Sequence, residues 1–435
     1  MTEKKTNLLA SIIALLNEKY EYAVLRNFEN IPNDMDSRDV DILLNPEQLP
    51  AFRCDCRDIA IKHQFKIVYT FWDTQLWTIV FGSIDDTVVN LLQIDVLVNL
   101  NVLGVIFLET KQTLSKRKFN GRLYHLPKVE TFLAKFIYCR VLGANYPSKY
   151  EELFNEIKQI YSDETNKLLC EILNDSNCNL EYWLSKNNID ILYKGFISSL
   201  RRHPVKQIKT IYIFIIQYIK NFIFQRGLFI SISGPDGSGK TTIINRLSDQ
   251  FSLINPPLVY HYRPKILPNI SELGIKFRLI KESDKRYHIP HRSNKKSKVQ
   301  SFIRLYYYLF DYIFGYYLRL MPLRWRKHII IYDRYFADLV SDSERASIFI
   351  NYRQISRFSK FVPEPDYNFI IKSDICSIQK RKQELTPEEI DRIYKRLDLI
   401  YSKKLNYFFI NNDKSSDEAS CNILKIIFDH QNMKF

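Results

Sequence analysis

Residues 228–249 read LFISISGPDGSGKTTIINRLSD: an apolar strand, a turn with three glycines, and an amphipathic helix that opens on lysine and threonine. The spacing is Gly234-x-x-x-x-Gly239-Lys240-Thr241, a complete phosphate-binding loop. A turn that wraps a triphosphate must point successive backbone N–H groups inward, and the missing Cβ at Gly234, Gly237 and Gly239 permits that approach. Lys240 is placed to reach the β- and γ-phosphates and the Thr241 hydroxyl to ligate Mg²⁺, while the helix N-terminus adds the positive end of its dipole. The stretch predicts the first strand, loop and helix of a parallel α/β sheet. Gly234, Asp236, Gly237, Ser238, Gly239, Lys240, Thr241 and Thr242 would hold ATP with magnesium.

Downstream, the apolar strand Ile329 to Tyr332 ends in Asp333-Arg334-Tyr335. An acid at the carboxyl end of a parallel strand faces the ligand crevice, where Asp333 can coordinate Mg²⁺ or orient an acceptor. The loop and the Asp-Arg pair, set in alternating strands and helices, resemble those of the thymidylate kinases over residues 226–430. The resemblance implies that Asp236 faces the acceptor sugar and that Arg334 binds the acceptor's phosphate. It also implies a lid whose cations meet the transferring phosphate; Gln379-Lys380-Arg381-Lys382-Gln383-Glu384 is the candidate, with Arg381 at its centre. Lys240, Asp333, Arg334 and Arg381 are therefore the expected catalytic set.

The chain departs from that family at two places. His261-Tyr262-Arg263-Pro264 stands where the family has R-E-P-G-G, and the residues after Asp333-Arg334-Tyr335 lack its tyrosine-glutamine. The acceptor thus stays open between a nucleoside monophosphate, a related small phosphorylated or sugar molecule, and an anionic surface-glycan intermediate. A basic segment at Lys281 to Gln300 reads either as cover for such an acceptor or as a solvated insertion; its His288 and His291 lack the partners of metal ligands. The aromatic helix that follows, beginning at Ser301, is expected to bury several faces against the sheet. The chain then closes with a helix (Glu388 to Lys403), a strand (Asn406 to Asn411) and a helix (Asp417 to His430), and Asn411 and Asn412 are candidates for an adenine pocket.

Toward the N-terminus a short strand, Tyr22 to Leu25, leads through a polar loop to a second strand carrying Asp39-Val40-Asp41. Strand periodicity puts both carboxylates on one face. Two like charges held that close repel unless a cation neutralises them, and Mg²⁺ prefers carboxylate oxygens. Asp95, isolated among the apolar residues of NLLQIDVLVNL, is a costly placement unless it is paired or liganded, which makes it the third candidate ligand. Residues 20–145 resemble the polymerase-β-type nucleotidyltransferases, in which such acids hold two metal ions against a nucleoside triphosphate. The family's glycine-serine pair is replaced here by Arg26-Asn27. The alternative is an inactive nucleotide-sensing or partner-binding module.

From Leu126 to Arg226 the apolar residues recur at helical spacing, and Arg201-Arg202-His203-Pro204 is the expected linker. The helix Lys206 to Phe224, with Lys209 and Lys220 near its ends, reads as an interdomain helix, with peripheral membrane contact as the alternative. The uncharged runs Val96 to Leu108 and Thr210 to Ile219 are too short to span a bilayer and are expected to be buried. In all, the sequence predicts an α/β protein: an α+β nucleotidyltransferase-like domain (1–145), a helical connector (146–225), and a P-loop kinase domain with helices on both faces of a parallel sheet (226–435).

The bulk properties fit this picture. The 435 residues are 46% hydrophobic and 26% charged, with 28 Tyr and 29 Phe, a composition that excludes global disorder. The N-terminal residues lack the charge layout of a secretory signal, and the seven scattered cysteines, Cys54-x-Cys56 included, form neither a disulfide framework nor a zinc set. A cytoplasmic setting follows, with the inner membrane face as an option. A net charge of +15 favours anionic partners. No recognised nucleic-acid motif accompanies it, and the oligomeric state, a homodimer included, is left open.

Overall fold

The computed structural model describes residues 2–33, 39–72, 75–224, 226–268 and 297–432. The chain divides into two compact units: Met1–Ser83 with Asn90–Phe224 and Phe428–Phe435, and Ile84–Val89 with Gln225–Ile427.

The first unit is built on strands β1 (Tyr22–Val24), β2 (Asp39–Leu44), β3 (Lys66–Trp72), β4 (Leu76–Asp85) and β5 (Val88–Leu97). The small hairpin β6 (Leu100–Val102) and β7 (Val105–Leu108) follows, then β8 (Lys118–Phe119) and β9 (Tyr124–His125). Seven of these form one mixed sheet in the order β3-β4-β5-β2-β1-β9-β8. Helices α1 (Glu3–Lys19) and α2 (Leu49–Lys62) send Leu8, Ile12, Leu16 and Phe52 into a core shared with Val40, Ile42, Ile94 and Val96. Because side chains alternate along a strand, burying Val40 and Ile42 turns Asp39 and Asp41 to the other face. Parallel pairing of β2 with β5 sets Asp41 opposite Asp95. A second core joins Phe107 to helix α3 (Lys128–Leu142) through Phe132 and Phe136, and to the later helices through Leu169, Trp183 and Ile191.

Two expectations for this region are corrected. The Arg201–Pro204 stretch is a break between helix α4 (Asn188–Arg202) and helix α5 (Pro204–Phe224), because proline is suited to a helix's first turn and starts the second helix there. The run Thr210 to Ile219 is not buried: Tyr212, Ile213, Ile215, Ile216, Tyr218 and Ile219 are all exposed.

The second unit holds β10 (Phe229–Ser233), β11 (Leu258–His261), β12 (Ile330–Asp333), β13 (Tyr367–Lys372) and β14 (Tyr407–Asn411). All are parallel, in the order β11-β12-β10-β13-β14. The central strand β10 is buried throughout, as a parallel strand covered on both faces must be. Its chain leaves for one side of the sheet and returns to the other, which opens a crevice at its carboxyl end. Helices α6 (Lys240–Phe251), α7 (Lys298–Gly315), α8 (Ile375–Arg381), α9 (Pro387–Tyr401) and α10 (Ser416–Asn432) flank the sheet.

Helix α7 starts with a capping box between Ser297 and Gln300 and buries Leu305, Leu309, Asp311 and Tyr312. Its other face, with Val299, Ile303, Tyr306, Phe310 and Phe314, stays exposed, so the expected burial of several faces is not found. A helix lying on one sheet layer buries a single stripe, however aromatic the rest.

Candidate functional site

The phosphate loop hangs between β10 and α6, and two of its glycines are demanded by their surroundings. Gly239 has φ +91°, and a Cβ there would lie 2.2 Å from Asn412 Nδ2. Gly234 has φ +143°, and its Cβ would lie 2.8 Å from the Ile371 carbonyl oxygen. Asn412 Nδ2 donates to the Ser238 carbonyl at 2.8 Å, and Ser373 Oγ donates to the same oxygen at 3.2 Å. Asn412 is therefore a buried brace for the loop rather than a wall of an adenine pocket, and Asn411 is exposed, its Oδ1 accepting from Asp413 N.

In front of the loop lies a cavity of about 790 Å³. Asp236, Gly237, Gly239, Lys240, Thr241 and Thr242 line it, together with Asp333, Arg334, Arg381 and Lys382. Gly234 and the buried Ser238 stand behind it and shape the turn. The register of the sheet explains the convergence: Ile232 pairs with Asp333, so the acid sits at the carboxyl end of β12 beside the start of the loop.

Lys240 Nζ is buried and donates to the Pro235 carbonyl at 2.7 Å. Burial, reinforced by the Arg334 guanidinium, pushes its pKa down to about 7. Asp236 is gripped by Arg334 on one carboxylate oxygen and by Arg345 on the other. Burial would push the Asp236 carboxyl up, but Arg334, Lys240 and Arg345 together hold it well below the usual range. Arg334 has φ +70°, a left-handed conformation costing a non-glycine residue about 1–3 kcal/mol. Its guanidinium is kept there by Asp236 and by the buried Asp338 at 3.5 Å. Asp338 also accepts from Gly234 N at 3.3 Å, which links the first glycine of the loop to the Asp-Arg pair.

Asp333 Oδ2 lies 3.2 Å from His261 Nδ1, while Oδ1 is buried without a hydrogen-bond partner among the described residues. Burial raises this carboxyl, but the His261 bond and the Lys240 charge more than offset it and leave the pKa below the ordinary value. The divergent segment after His261 forms one wall. Arg263 is committed to Asp311 at 2.7 Å, both buried, and Asp311 also accepts from the backbone N–H groups of Ile266 and Leu267 at 2.8 and 3.0 Å.

Sequence reasoning did not find Asp338, Arg345 or Asp311. Asp338 carried a weak signal, an acid four residues after Arg334, although Arg334 itself stands before the helical turn Phe336–Ser341. Arg345, in a short 3-10 turn, carried none. Of the lid segment, Arg381 and Lys382 reach the cavity, whereas Lys380 does not line it. The basic segment Lys281 to Gln300, with His288 and His291, lies outside the described residues up to residue 296; Ser297 to Gln300 open α7.

In the first unit, oxygens of Asp39, Asp41 and Asp95 lie within 4.8 Å of one another. They face a cavity of about 340 Å³ that Arg26 and Lys135 also line. Burial, opposed by Arg26 and aided by Asp39, raises the Asp41 carboxyl above its ordinary value. Burial together with Asp41 and Asp39 pushes Asp95 up to about 6, although Thr78 donates to it at 2.7 Å. Arg26, at the position where the glycine-serine pair was missing, pairs with Asp41 and also bonds the Tyr150 hydroxyl.

No protein-family model and no curated protein matches the chain. Among solved structures it is similar to the thymidylate kinase of Candida albicans, at 20% identity and a TM-score of 0.36, over 48% of this chain and 93% of that one. It is also similar to the thymidylate kinase of Ehrlichia chaffeensis, at 18% identity and a TM-score of 0.31, over 46% and 99%. No helix among the described residues is long and apolar enough to cross a membrane.

Proposed function

We propose that the second unit is a phosphotransferase that moves the γ-phosphoryl group of MgATP to a small anionic acceptor. One observation carries this reading: Lys240, Thr241, Asp333, Arg334 and Arg381 line a single cavity in front of the phosphate loop. Lys240, protonated on arrival of a phosphate, trades its bond to the Pro235 carbonyl for phosphate oxygens. Asp236 stays ionised and immobile between Arg334 and Arg345, and the remaining lone pairs on its oxygens can accept a hydrogen bond from an acceptor hydroxyl. Although Asp338 also pairs with Arg334, the cations Lys240, Lys265, Arg334, Arg345 and Arg381 outnumber the acids Asp236, Asp333 and Asp338, so the pocket keeps a positive balance for the acceptor's own phosphate. Arg381 and Lys382, at the end of α8, supply charge where the transferring group becomes more anionic.

The residues present fit magnesium, because a buried carboxylate oxygen of Asp333 without a partner among the described residues and the Thr241 hydroxyl offer the hard oxygen ligands it takes. When bound, the ion neutralises charge on the phosphate oxygens.

The likeness of the motifs to thymidylate kinases makes nucleoside monophosphates the first acceptors to test. The altered His261–Pro264 segment makes sugars and sugar phosphates the second. ATP consumption is measured over both panels with the wild type and with Lys240→Ala. Turnover with one acceptor class that disappears in the variant supports the assignment; turnover that survives Lys240→Ala ends it.

A second reading concerns the first unit, where the proximity of Asp39, Asp41 and Asp95 favours a divalent-cation site that serves nucleotidyl transfer or nucleotide sensing. Three carboxylates suit Mg²⁺, although Arg26 already neutralises part of Asp41. Titration calorimetry with nucleoside triphosphates and Mg²⁺, comparing wild type with Asp39→Asn plus Asp41→Asn, tests it. Metal-dependent heat lost in the double variant supports a site, and its absence from the wild type leaves a non-catalytic module.

A further inference from the structure

Helix α5 is built inside out. Gln207, a polar residue, is 0% exposed: its Oε1 accepts from Ile106 N at 3.0 Å and from Ser199 Oγ at 2.6 Å, and its Nε2 donates to the Gly104 carbonyl at 2.9 Å. One end of the same side is tied down by Asn221, whose Nδ2 donates to the Trp72 carbonyl at 2.9 Å. The opposite side carries Val205, Ile208, Tyr212, Ile215, Ile216, Ile219, Phe222 and Ile223, all exposed, with Val205 at 80% and Ile208 at 62%. Their spacing of three and four residues makes them one continuous stripe along a 21-residue helix. A helix that only joined two parts of a soluble protein would turn such a stripe inward and Gln207 outward.

The charge of the segment is one-sided. Between Asp190 and Gln225 there is no acidic residue; Lys194 and Lys206 are taken up by Asp175 and Glu109 from other elements, which leaves Lys209 and Lys220 as the cations beside the stripe. On the helix itself, Lys209 and Lys220 are exposed and lie along one edge of the apolar stripe. An apolar face with cations along one edge fits the plane where headgroups meet acyl chains in a bilayer. No helix among the described residues is long and apolar enough to span one, so the contact proposed is peripheral.

We propose that the outer face of α5 docks the protein on a membrane surface rich in anionic lipid, with the stripe in the headgroup region and the lysines against the lipid phosphates. The proposal rests on the first unit alone and stands or falls independently of the kinase reading. The full chain is sedimented with vesicles of neutral phosphatidylcholine and with vesicles containing a third of phosphatidylglycerol, at low and at high salt. Binding is expected to the anionic vesicles and to weaken with salt. Ile215→Asp plus Ile219→Asp, both half-exposed positions, abolishes it with the melting curve unchanged. Lys209→Gln plus Lys220→Gln, a change that touches no core residue, weakens it by roughly 25-fold, at about fivefold per surface cation. The proposal is overturned if the wild type does not sediment with anionic vesicles, if neutral vesicles bind it equally, or if either variant binds like the wild type. It is equally overturned if the isoleucine variant turns a dimer into a monomer in light scattering while vesicle binding is kept, because a second copy of the chain then covers the stripe.

Discussion

Raising the pH should weaken nucleotide binding far more steeply than an ordinary lysine would allow. Lys240 is buried, and that burial, with Arg334 beside it, brings its pKa down to about 7 in the free protein. Phosphate oxygens favour the ammonium form, so binding must take up a proton whenever the lysine starts neutral. Only the protonated fraction is ready to bind, and apparent affinity falls in proportion to it. With a pKa of about 7 that fraction drops from roughly a quarter at pH 7.5 to about 0.3% at pH 9.5, a loss of up to roughly 80-fold in affinity. A lysine at the usual value of about 10.4 would lose only ~10% over the same window. Phosphate groups complete their own second ionisation near pH 6 and contribute little above pH 7.5. The assay is calorimetric titration with a non-hydrolysable ATP analogue at half-unit steps, repeated in buffers of different ionisation enthalpy so that proton uptake is counted. A flat affinity across the window, or no proton uptake at pH 8.5, would refute the buried-lysine reasoning. Lys240→Arg, whose guanidinium stays charged, should flatten whatever slope the wild type shows.

Other substitutions read other parts of the site. Gly239→Ala pushes a Cβ to 2.2 Å from Asn412 Nδ2 at a φ of +91°; the left-handed conformation alone costs about 1–2 kcal/mol, and nucleotide affinity measured by titration should fall at least tenfold. Asp311→Asn leaves the Arg263 guanidinium buried without a counter-charge and should destabilise the second unit by about 3–5 kcal/mol in urea melts, whereas adding Arg263→Met removes that charge while the Asn oxygen can still accept from Ile266 and Leu267 N–H, and should recover much of the loss. Asp236→Asn releases Arg334 and Arg345 from their shared carboxylate; steady-state kinetics should show the acceptor KM raised by an order of magnitude or more, with the KM for ATP changed far less.

Much of the second unit could be read from the residues because its chemistry is local. A phosphate loop must follow a buried strand and precede a helix, and residues 228–249 meet both conditions within one contiguous stretch. Asp333 and Arg334 were legible for a similar reason, since the end of an apolar strand in a parallel sheet has only one place to point. Arg345 and Asp311 were not, because each acts through a partner about a hundred or fifty residues away, and neither sits in a pattern that sequence spacing can expose. The role of Asn412 was misread for the opposite reason: its position beside a strand end suggested a base pocket, but a side-chain amide there is drawn to the nearest unsatisfied carbonyl, that of Ser238. In α5 and α7 hydrophobicity alone implied burial. A residue's apolar character says that it prefers to leave water, not that the fold has somewhere to put it.

The pairing of Asp41 with Asp95 across two neighbouring strands makes the acidic cluster a property of alignment as much as of composition. Sliding β5 by a single residue along β2 would carry Asp95 through to the opposite side of the sheet, while a slide of two would merely offset it by one pleat. Length changes in the tight turn between β4 and β5 should therefore obey a parity rule: an odd insertion that is absorbed as a slip dismantles the cluster without touching one of its members, and an even one leaves three acids on a common side. Homologous chains that differ there by one residue would have to reset the alignment elsewhere or give up the cluster.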